Sequence, residues 1–115
     1  MEHLYVIGID YGTDSVRALL ADAESGEEIA VAVCNYSRWG RGLYCDTAKS
    51  QFRQHPLDYL EGLEQVLRQV IAQCPAPEAI RAIAVDTPAS TPCLVDRTCT
   101  PLSLTEKAET SSFRK

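Results

Sequence analysis

The sequence lacks the hallmarks of a membrane-spanning, exported or zinc-binding protein. No apolar run approaches the roughly 20 residues that a membrane-spanning helix needs, and residues 1–5 carry an acid where a signal peptide has a basic start. The five cysteines form no CxxC pair, and the two histidines lie far apart, which disfavours a zinc site. We therefore expect free thiols and a cytoplasmic location.

An excess of basic residues is also absent. The 115 residues contain 11 Lys and Arg against 16 Asp and Glu, a net charge of -5, so neither nucleic acid nor an anionic membrane is an expected partner. Hydrophobic residues make up 45% and charged residues 23%, a composition typical of a globular chain. This length allows one small domain or part of a larger one.

Short apolar segments separated by turn residues predict three consecutive strands. Residues 4–9 are almost continuously apolar, residues 15–22 alternate with a period of two, and residues 29–34 form a third apolar run. The connections at 10–14 and 24–27 are short and rich in turn-forming residues. Three strands joined in this way indicate an antiparallel meander.

A helix and further strands follow an irregular stretch. Pro56 suits the first position of a helix, and Pro75 ends it. Apolar residues at three- and four-residue steps predict one buried helix face, formed by Leu57, Leu60, Leu63, Leu67, Val70, Ile71 and Cys74. Residues 80–86 predict a fourth strand and residues 93–95 a short fifth one. The order strand, strand, strand, helix, strand indicates an α/β fold with a mixed sheet.

The corner between the first two strands carries the most chemistry. A buried strand ends at Asp10, and Gly12 permits a tight turn that brings backbone N–H groups close to an anion. Thr13 and Ser15 add hydroxyl groups. A carboxylate beside a phosphate requires a divalent cation between them, and Mg²⁺ accepts oxygen ligands while keeping several waters. These residues fit a phosphate cradle with Asp10 facing Mg²⁺ through water, and they fit an ordinary Asp-Gly hairpin turn equally well.

The irregular residues 35–55 contain the single tryptophan, Trp39. Long loops in compact domains tend to be functional. Trp39 and Tyr44 therefore either pin this loop to the core or border a substrate cleft. Asp86, at the end of the fourth strand, could be taken for a general base, although a structural role at the strand end is favoured.

Residues 7–17 resemble the first phosphate motif of the superfamily of sugar kinases, Hsp70 proteins and actin. The pattern Asp-x-Gly-Thr-Asp-Ser-x-Arg is similar to that of the FGGY carbohydrate kinases. Within this family the ribulokinase group shows further resemblance, at residues 26–29, 38–46, 51–59 and 85–92. The resemblance covers nearly the whole chain up to residue 104, and it implies an incomplete actin-like ATPase domain of the ribonuclease H type.

The prediction that this chain is part of an enzyme rests on this resemblance alone. Kinases of the ribulokinase group use ATP and Mg²⁺ to phosphorylate the 5-hydroxyl of L-ribulose in L-arabinose catabolism, which implies a small-molecule sugar and ATP as partners. A homo-oligomer stays open for the full-length protein. Two alternatives also stay open: a truncated, non-catalytic module, and an FGGY kinase for another sugar or polyol such as xylulose or glycerol.

Two groups of site residues follow from the resemblance. The ATP phosphate-binding group consists of Asp10, Gly12, Thr13, Asp14, Ser15 and Arg17, with Asp10 as the residue that faces Mg²⁺. The sugar-binding group consists of Ala89, Ser90, Thr91 and Trp39. Arg17 also fits an outward-facing strand residue without contact to phosphate.

Similar kinases are several times longer than this chain. The resemblance places their catalytic base beyond Lys115, so we expect no catalytic residue here and no turnover by this chain alone. We expect residues 1–104 to form the N-terminal part of the first kinase domain and residues 105–115 a poorly ordered polar tail. Pro88 departs from the family pattern and removes a backbone N–H from the sugar loop. Cys99 stands where glycine is common and is strained if its φ is positive.

Overall fold

The structure is a computed structural model that describes residues 3–88 and 91–105. Ala89, Ser90 and the predicted tail after Thr105 lie outside the described residues. The elements in chain order are β1 (Tyr5–Tyr11), β2 (Ser15–Asp22), β3 (Glu28–Asn35), α1 (Ser37–Gly40), β4 (Cys45–Asp46), a 3₁₀ turn (Thr47–Lys49), β5 (Gln51–Phe52), α2 (Pro56–Ala72), a 3₁₀ turn (Pro77–Ala79), β6 (Ile80–Asp86) and a 3₁₀ turn (Leu102–Leu104).

The main sheet has four strands in the order β3-β2-β1-β6. β1 and β2 pair antiparallel, as do β2 and β3, whereas β6 pairs parallel to β1. The helix α2 connects β3 to β6 across the sheet, which is the crossover that a parallel pair requires. The predicted meander and mixed sheet are confirmed. The irregular stretch before α2 is more ordered than predicted, because it contains α1 and the two-stranded ribbon of β4 and β5.

α2 begins where the sequence predicts. Pro56 occupies its first turn, and the Nδ1 atom of His55 accepts the Leu57 N–H at 3.1 Å, which caps the helix. The helix packs against β2 and β3 rather than against β6. Its last turn ends at Ala72, just before Pro75.

The predicted buried face of α2 is only partly right. The buried line runs at four-residue steps through Asp58, Gly62, Val66 and Val70, whereas Leu60 and Ile71 are exposed. The reason is the close approach of the helix to the sheet. A Cβ atom at Gly62 would lie 2.8 Å from Cγ1 of Val16, so only a residue without a side chain fits at the closest point.

The segment after β6 contains less strand than predicted. Of residues 93–95, only Val95 forms a bridge, with Pro101. The turn between them is built on Asp96, whose Oδ1 atom accepts the N–H groups of Thr98 and Thr100 at 2.9 Å each. Cys99 has a φ of 64°, the left-handed conformation that was anticipated as strained for a residue other than glycine.

Two findings bear on the expectations from composition. Within the described part of the chain, no helix combines the length and the apolar character needed to cross a bilayer. All five cysteines are free thiols, and only Cys74 is buried.

Candidate phosphate-binding site

The corner between β1 and β2 consists of Gly12, Thr13 and Asp14 and faces solvent. The Gly12 N–H donates to the carbonyl of Ser15 at 2.8 Å, which closes the turn. Thr13 and Asp14 are exposed, and Gly12 and Ser15 are partly so. A corner on the surface is accessible to a ligand.

The three carbonyl groups of this corner are all held by the protein. The hydroxyl of Tyr36 donates to the Gly12 carbonyl at 3.0 Å, and the backbone N–H of Tyr36 donates to the Asp14 carbonyl at 2.9 Å. The Nε2 atom of Gln54 donates to the Thr13 carbonyl. Among the described residues, nothing accepts a hydrogen bond from the N–H of Thr13 or Asp14. The two N–H groups are therefore free to bind an anion, as in a backbone nest.

Three charged residues form a row across the sheet beside this corner. Arg17 on β2 is the register partner of Asp10 on β1, and Asp10 is the register partner of Asp86 on β6. All three are exposed. Within the described ranges Asp10 forms no ion pair, so its carboxylate is available to a ligand or a cation. The Asp86 Oδ1 atom accepts the Thr87 N–H at 3.0 Å, in line with a structural role at the strand end.

The carboxylates of this row can be compared with what a magnesium ion requires of a protein. No cluster of three or more His, Cys, Asp or Glu side chains in the described part could hold a metal by itself. Mg²⁺ bound to a nucleotide does not need such a cluster, since it keeps several waters and takes one or two carboxylates in addition to phosphate oxygens. Asp10 and its neighbour Asp86 meet that smaller requirement.

Three tyrosines support the corner from the helix side. Tyr59 on α2 makes edge-to-face contacts with Tyr11 and Tyr36, with ring centroids 5.4 and 5.5 Å apart. The Tyr11 hydroxyl donates to the carbonyl of Tyr59 at 3.1 Å. Burial raises the pKa of all three phenols above the ordinary tyrosine value, so they stay protonated and can donate near neutral pH.

Trp39 lies within α1 and is partly buried against the core. Its backbone N–H donates to Oδ2 of Asp58 at 3.1 Å, and the backbone N–H of the neighbouring Arg38 donates to Oδ1 of Asp58 at 3.2 Å. The Arg38 guanidinium binds both Asp58, at 3.1 Å, and Glu61, at 2.7 Å. The structure therefore pins this loop to α2 through a buried carboxylate.

Two cavities open beside the tyrosines. A cavity of about 480 Å³ is lined by Gln54, Tyr59 and Thr91 among others, and one of about 270 Å³ is lined by Tyr11, Tyr59, Thr87, Pro88 and Thr91. Of the predicted sugar-binding residues, Thr91 lies on both walls, Trp39 lines neither cavity, and Ala89 and Ser90 lie outside the described residues. A sugar-binding role for these residues stays a prediction.

Sequence reasoning missed the supports of the corner. Gln54 and Tyr59 contributed only to the resemblance, and Tyr36 was not singled out at all. Their hydrogen bonds to Tyr11, Gly12 and Thr13 join residues 24 to 48 positions apart, and a single sequence contains no local pattern for such pairs. The one available signal was a polar residue, Gln54, next to a helix start.

The sequence of this chain is similar to those of curated kinases. No family model matches the chain. The ribulokinase of Vibrio parahaemolyticus is 46% identical over 107 residues, which cover 91% of this chain and 19% of that protein. The ribulokinase of Shouchella clausii is 38% identical over 109 residues, 85% of this chain and 18% of that protein. The chain thus spans about a fifth of the length of the curated relatives that it matches.

A solved structure agrees on the fold. The crystal structure of gluconate kinase from Lactobacillus acidophilus superposes with a TM-score of 0.72 at 19% identity, covering 88% of this chain and 19% of that one. At this identity the match shows the fold, which is that of a sugar kinase of the actin-like ATPase type. The resemblance inferred from the motifs is therefore confirmed: most of this chain is similar in sequence to about one fifth of each of these ribulokinases.

Proposed function

We propose that this chain provides the ATP phosphate-binding corner of a kinase that phosphorylates the 5-hydroxyl of L-ribulose. The observation that carries the proposal is the corner itself, in which three carbonyls are bound from within and the N–H groups of Thr13 and Asp14 have no partner among the described residues. The relatives named ribulokinase support the reaction class and the sugar.

Electrostatic positioning is the contribution of these residues to phosphoryl transfer. The N–H groups of Thr13 and Asp14 bind the phosphates of ATP, and the hydroxyls of Thr13 and Ser15 add donors. Arg17, two residues into β2, balances phosphate charge. Such preorganised donors lower the barrier because they need not reorient during the reaction.

A bound Mg²⁺ would be held at Asp10, through water, with Asp86 as its neighbour in the sheet. The ion would neutralise charge on the transferring phosphoryl group. Asp10 would bind the waters of that ion and fix the phosphates relative to β1. Both carboxylates lie on the face proposed for the metal, so we assign neither of them as the base that accepts the proton of the sugar hydroxyl.

The acceptor sugar is proposed to bind toward Thr91. The larger cavity, at about 480 Å³, falls within the range of roughly 300–1,000 Å³ that is usual for small-molecule sites. Its wall includes polar groups from Gln54 and Thr91, which suit a polyhydroxylated ligand. Ala89, Ser90 and Trp39 remain proposed partners of the sugar.

A chimeric enzyme tests this function. Residues 1–104 of this chain would replace the corresponding segment of the Vibrio parahaemolyticus ribulokinase, and ADP formation would be measured with L-ribulose, D-xylulose and glycerol as acceptors. We expect turnover with the highest kcat/KM for L-ribulose. The Asp10→Asn variant should lower kcat by about a hundredfold, the loss typical of a charge-stabilising group.

Glu64→Gln is the matched control and should leave kcat unchanged, since Glu64 is an exposed carboxylate on α2 whose one ion pair among the described residues is with Arg68. An Asp10→Asn chimera as active as the Glu64→Gln chimera would contradict the proposed metal-facing role. A chimera that prefers glycerol or D-xylulose would contradict the proposed sugar.

A further inference from the structure

We infer that Tyr36, Gln54 and Tyr59 are positioning residues that aim the amide groups of the corner at a phosphate ligand, an inference that rests on the proposed function. The starting observation is that their hydrogen bonds do not reach side chains of the corner. They reach the carbonyls of three successive residues, Gly12, Thr13 and Asp14, either directly or through Gln54.

Peptide geometry turns these contacts into an orientation. The carbonyl of one residue and the N–H of the next lie in one plane and point in opposite directions in a trans peptide. A carbonyl of Gly12 that is held by the Tyr36 hydroxyl therefore directs the Thr13 N–H outward. The Thr13 carbonyl, held by Gln54, directs the Asp14 N–H in the same way.

The backbone of Tyr36 completes the set. Its N–H donates to the Asp14 carbonyl at 2.9 Å, which orients the peptide that leads into Ser15. Tyr36 thus holds two of the three carbonyls, one with its side chain and one with its main chain. It is only 1% exposed, and its ring is fixed by the edge of Tyr59 at 5.5 Å. A donor packed this tightly has little freedom to release the corner.

Gln54 is itself oriented by a second donor. The Tyr59 hydroxyl donates to Oε1 of Gln54, which leaves Nε2 to donate to the Thr13 carbonyl. The Tyr59 carbonyl in turn accepts the hydroxyl of Tyr11 at the end of β1. Through these hydrogen bonds Gln54 and Tyr59 connect the start of α2 both to Tyr11, at the end of β1, and to the Thr13 carbonyl in the corner. Gln54 and Tyr59 also line the larger cavity, so the same pair borders the proposed acceptor site.

The test removes single hydroxyl groups from the 115-residue chain. Tyr36→Phe removes the donor to Gly12, Tyr59→Phe removes the donor that orients Gln54, and Tyr5→Phe removes a buried hydroxyl at the opposite end of β1 as the matched control. Two quantities are measured for each variant: the ¹⁵N order parameters of the amides of Thr13 and Asp14 without ligand, and the Kd for Mg·ATP.

Tyr36→Phe should lower the order parameter mainly at Thr13, and Tyr59→Phe mainly at Asp14. Each should weaken Mg·ATP binding by about fivefold, roughly the affinity equivalent of one hydrogen bond. Tyr5→Phe should change neither quantity, although it can lower the denaturation midpoint. If Tyr36→Phe does not fold, Tyr59→Phe alone decides the question. The Tyr59 hydroxyl reaches the corner only through Gln54, so its removal should disturb the fold less.

Order parameters and affinities that match those of Tyr5→Phe would overturn the inference, since the three residues would then only stabilise the fold. Selective loosening of Thr13 and Asp14 in a chain whose wild type does not bind Mg·ATP would leave the positioning role standing and would count against anion binding by the isolated corner, while the chimeric enzyme decides the proposed function. Tighter Mg·ATP binding by Tyr36→Phe would overturn the inference as well.

Discussion

β1 and β6 are neighbouring parallel strands of similar sequence, yet they differ sharply in burial. Ile7 and Ile9 on β1 are each 2% exposed, whereas their register partners on β6, Ile83 and Val85, are 54% and 57% exposed. Both strands are mostly apolar, and each carries an aspartate near its carboxyl end, Asp10 on β1 and Asp86 on β6, which are register partners. The difference arises because Ile7 and Ile9 belong to the core cluster that contains Val66 and Val70 of α2, whereas among the described residues Ile83 and Val85 do not. An apolar strand is therefore not by itself a buried strand.

The comparison also shows where stability and the proposed function depend on the same region of the molecule. The covered region holds the core residues and the supports of the corner, Tyr36 and Tyr59. β6 adds one carboxylate, Asp86, to the row beside the corner, but few buried contacts. We therefore expect substitutions on β1 and α2 to change folding strongly and substitutions on β6 to change it little.

The largest expected effect comes from truncating one isoleucine on each strand. Ile7→Ala should lower the free energy of unfolding by about 2–5 kcal/mol, because it removes transfer energy and leaves a cavity. Ile83→Ala should change it by no more than about 0.5 kcal/mol, as at other surface positions. Urea denaturation of both variants measures the difference. Equal losses would show that β6 is covered in solution by something outside the described residues.

A smaller effect is expected from adding one methyl group at two glycines. Gly62→Ala gains about 1 kcal/mol of helix propensity but places a Cβ 2.8 Å from Val16, and overpacking typically costs about 1–3 kcal/mol. The net change should be destabilising. Gly8→Ala is the control and should be neutral or slightly stabilising, since its new Cβ would meet no non-neighbouring atom of the described residues within 4 Å.

A second substitution sharpens this test. If the clash with Val16 is the cause, Val16→Ala should cost less in the Gly62→Ala background than in the wild type, because the shorter side chain makes room for the new methyl group. Additive losses in a double-mutant cycle would place the cause elsewhere.

The smallest expected effect is the loss of folding stability at low pH. Backbone N–H groups of Ser25 and Glu24 lower the pKa of Asp22 below its ordinary value of 3.8, and Arg38 lowers that of Glu61 below 4.5. The unfolded chain therefore takes up protons at a higher pH than the folded chain. Stability from these groups is complete above about pH 5 and is lost as the pH falls through the folded pKa values.

The measurement for this prediction is the urea midpoint between pH 6 and pH 3, compared with that of Asp22→Asn. The asparagine keeps an oxygen for the Ser25 and Glu24 N–H groups but cannot titrate, so the variant should lose less stability on acidification. A variant with the same pH dependence as the wild type would exclude Asp22 as a source of acid sensitivity.

The part of the fold that was predictable from sequence is the part set by local patterns. The hairpin at Asp10 to Ser15, the start of α2 at Pro56 and the strand before Asp86 all follow from turn residues, alternation and a helix-starting proline. The parallel pairing of β1 with β6 fits the helix between them. The phosphate-binding role of the corner came from resemblance, since its residues alone fitted an ordinary turn equally well.

The rest depends on contacts between distant residues. The pattern of leucines predicted the wrong centre for the buried face of α2. The helix approaches Val16 so closely that the central position holds Gly62 and has no room for a large apolar side chain. Tyr36 has no local signature, since its role requires the corner, β3 and α2 to meet. Whether Ile83 is buried depends on where α2 packs on the sheet, and the sequence of β6 alone does not determine that position.

Paramagnetic Mn²⁺ in place of Mg²⁺ tests directly whether the corner between β1 and β2 binds a metal–nucleotide complex. Mn·ADP added to the ¹⁵N-labelled chain broadens the amide resonances nearest the metal. We expect the strongest broadening at Asp10, Gly12, Thr13 and Asp14, weaker broadening at Arg17 and Asp86, and none at the far end of β1 near Tyr5. Broadening centred elsewhere, or equal broadening with Asp10→Asn, would contradict this expectation.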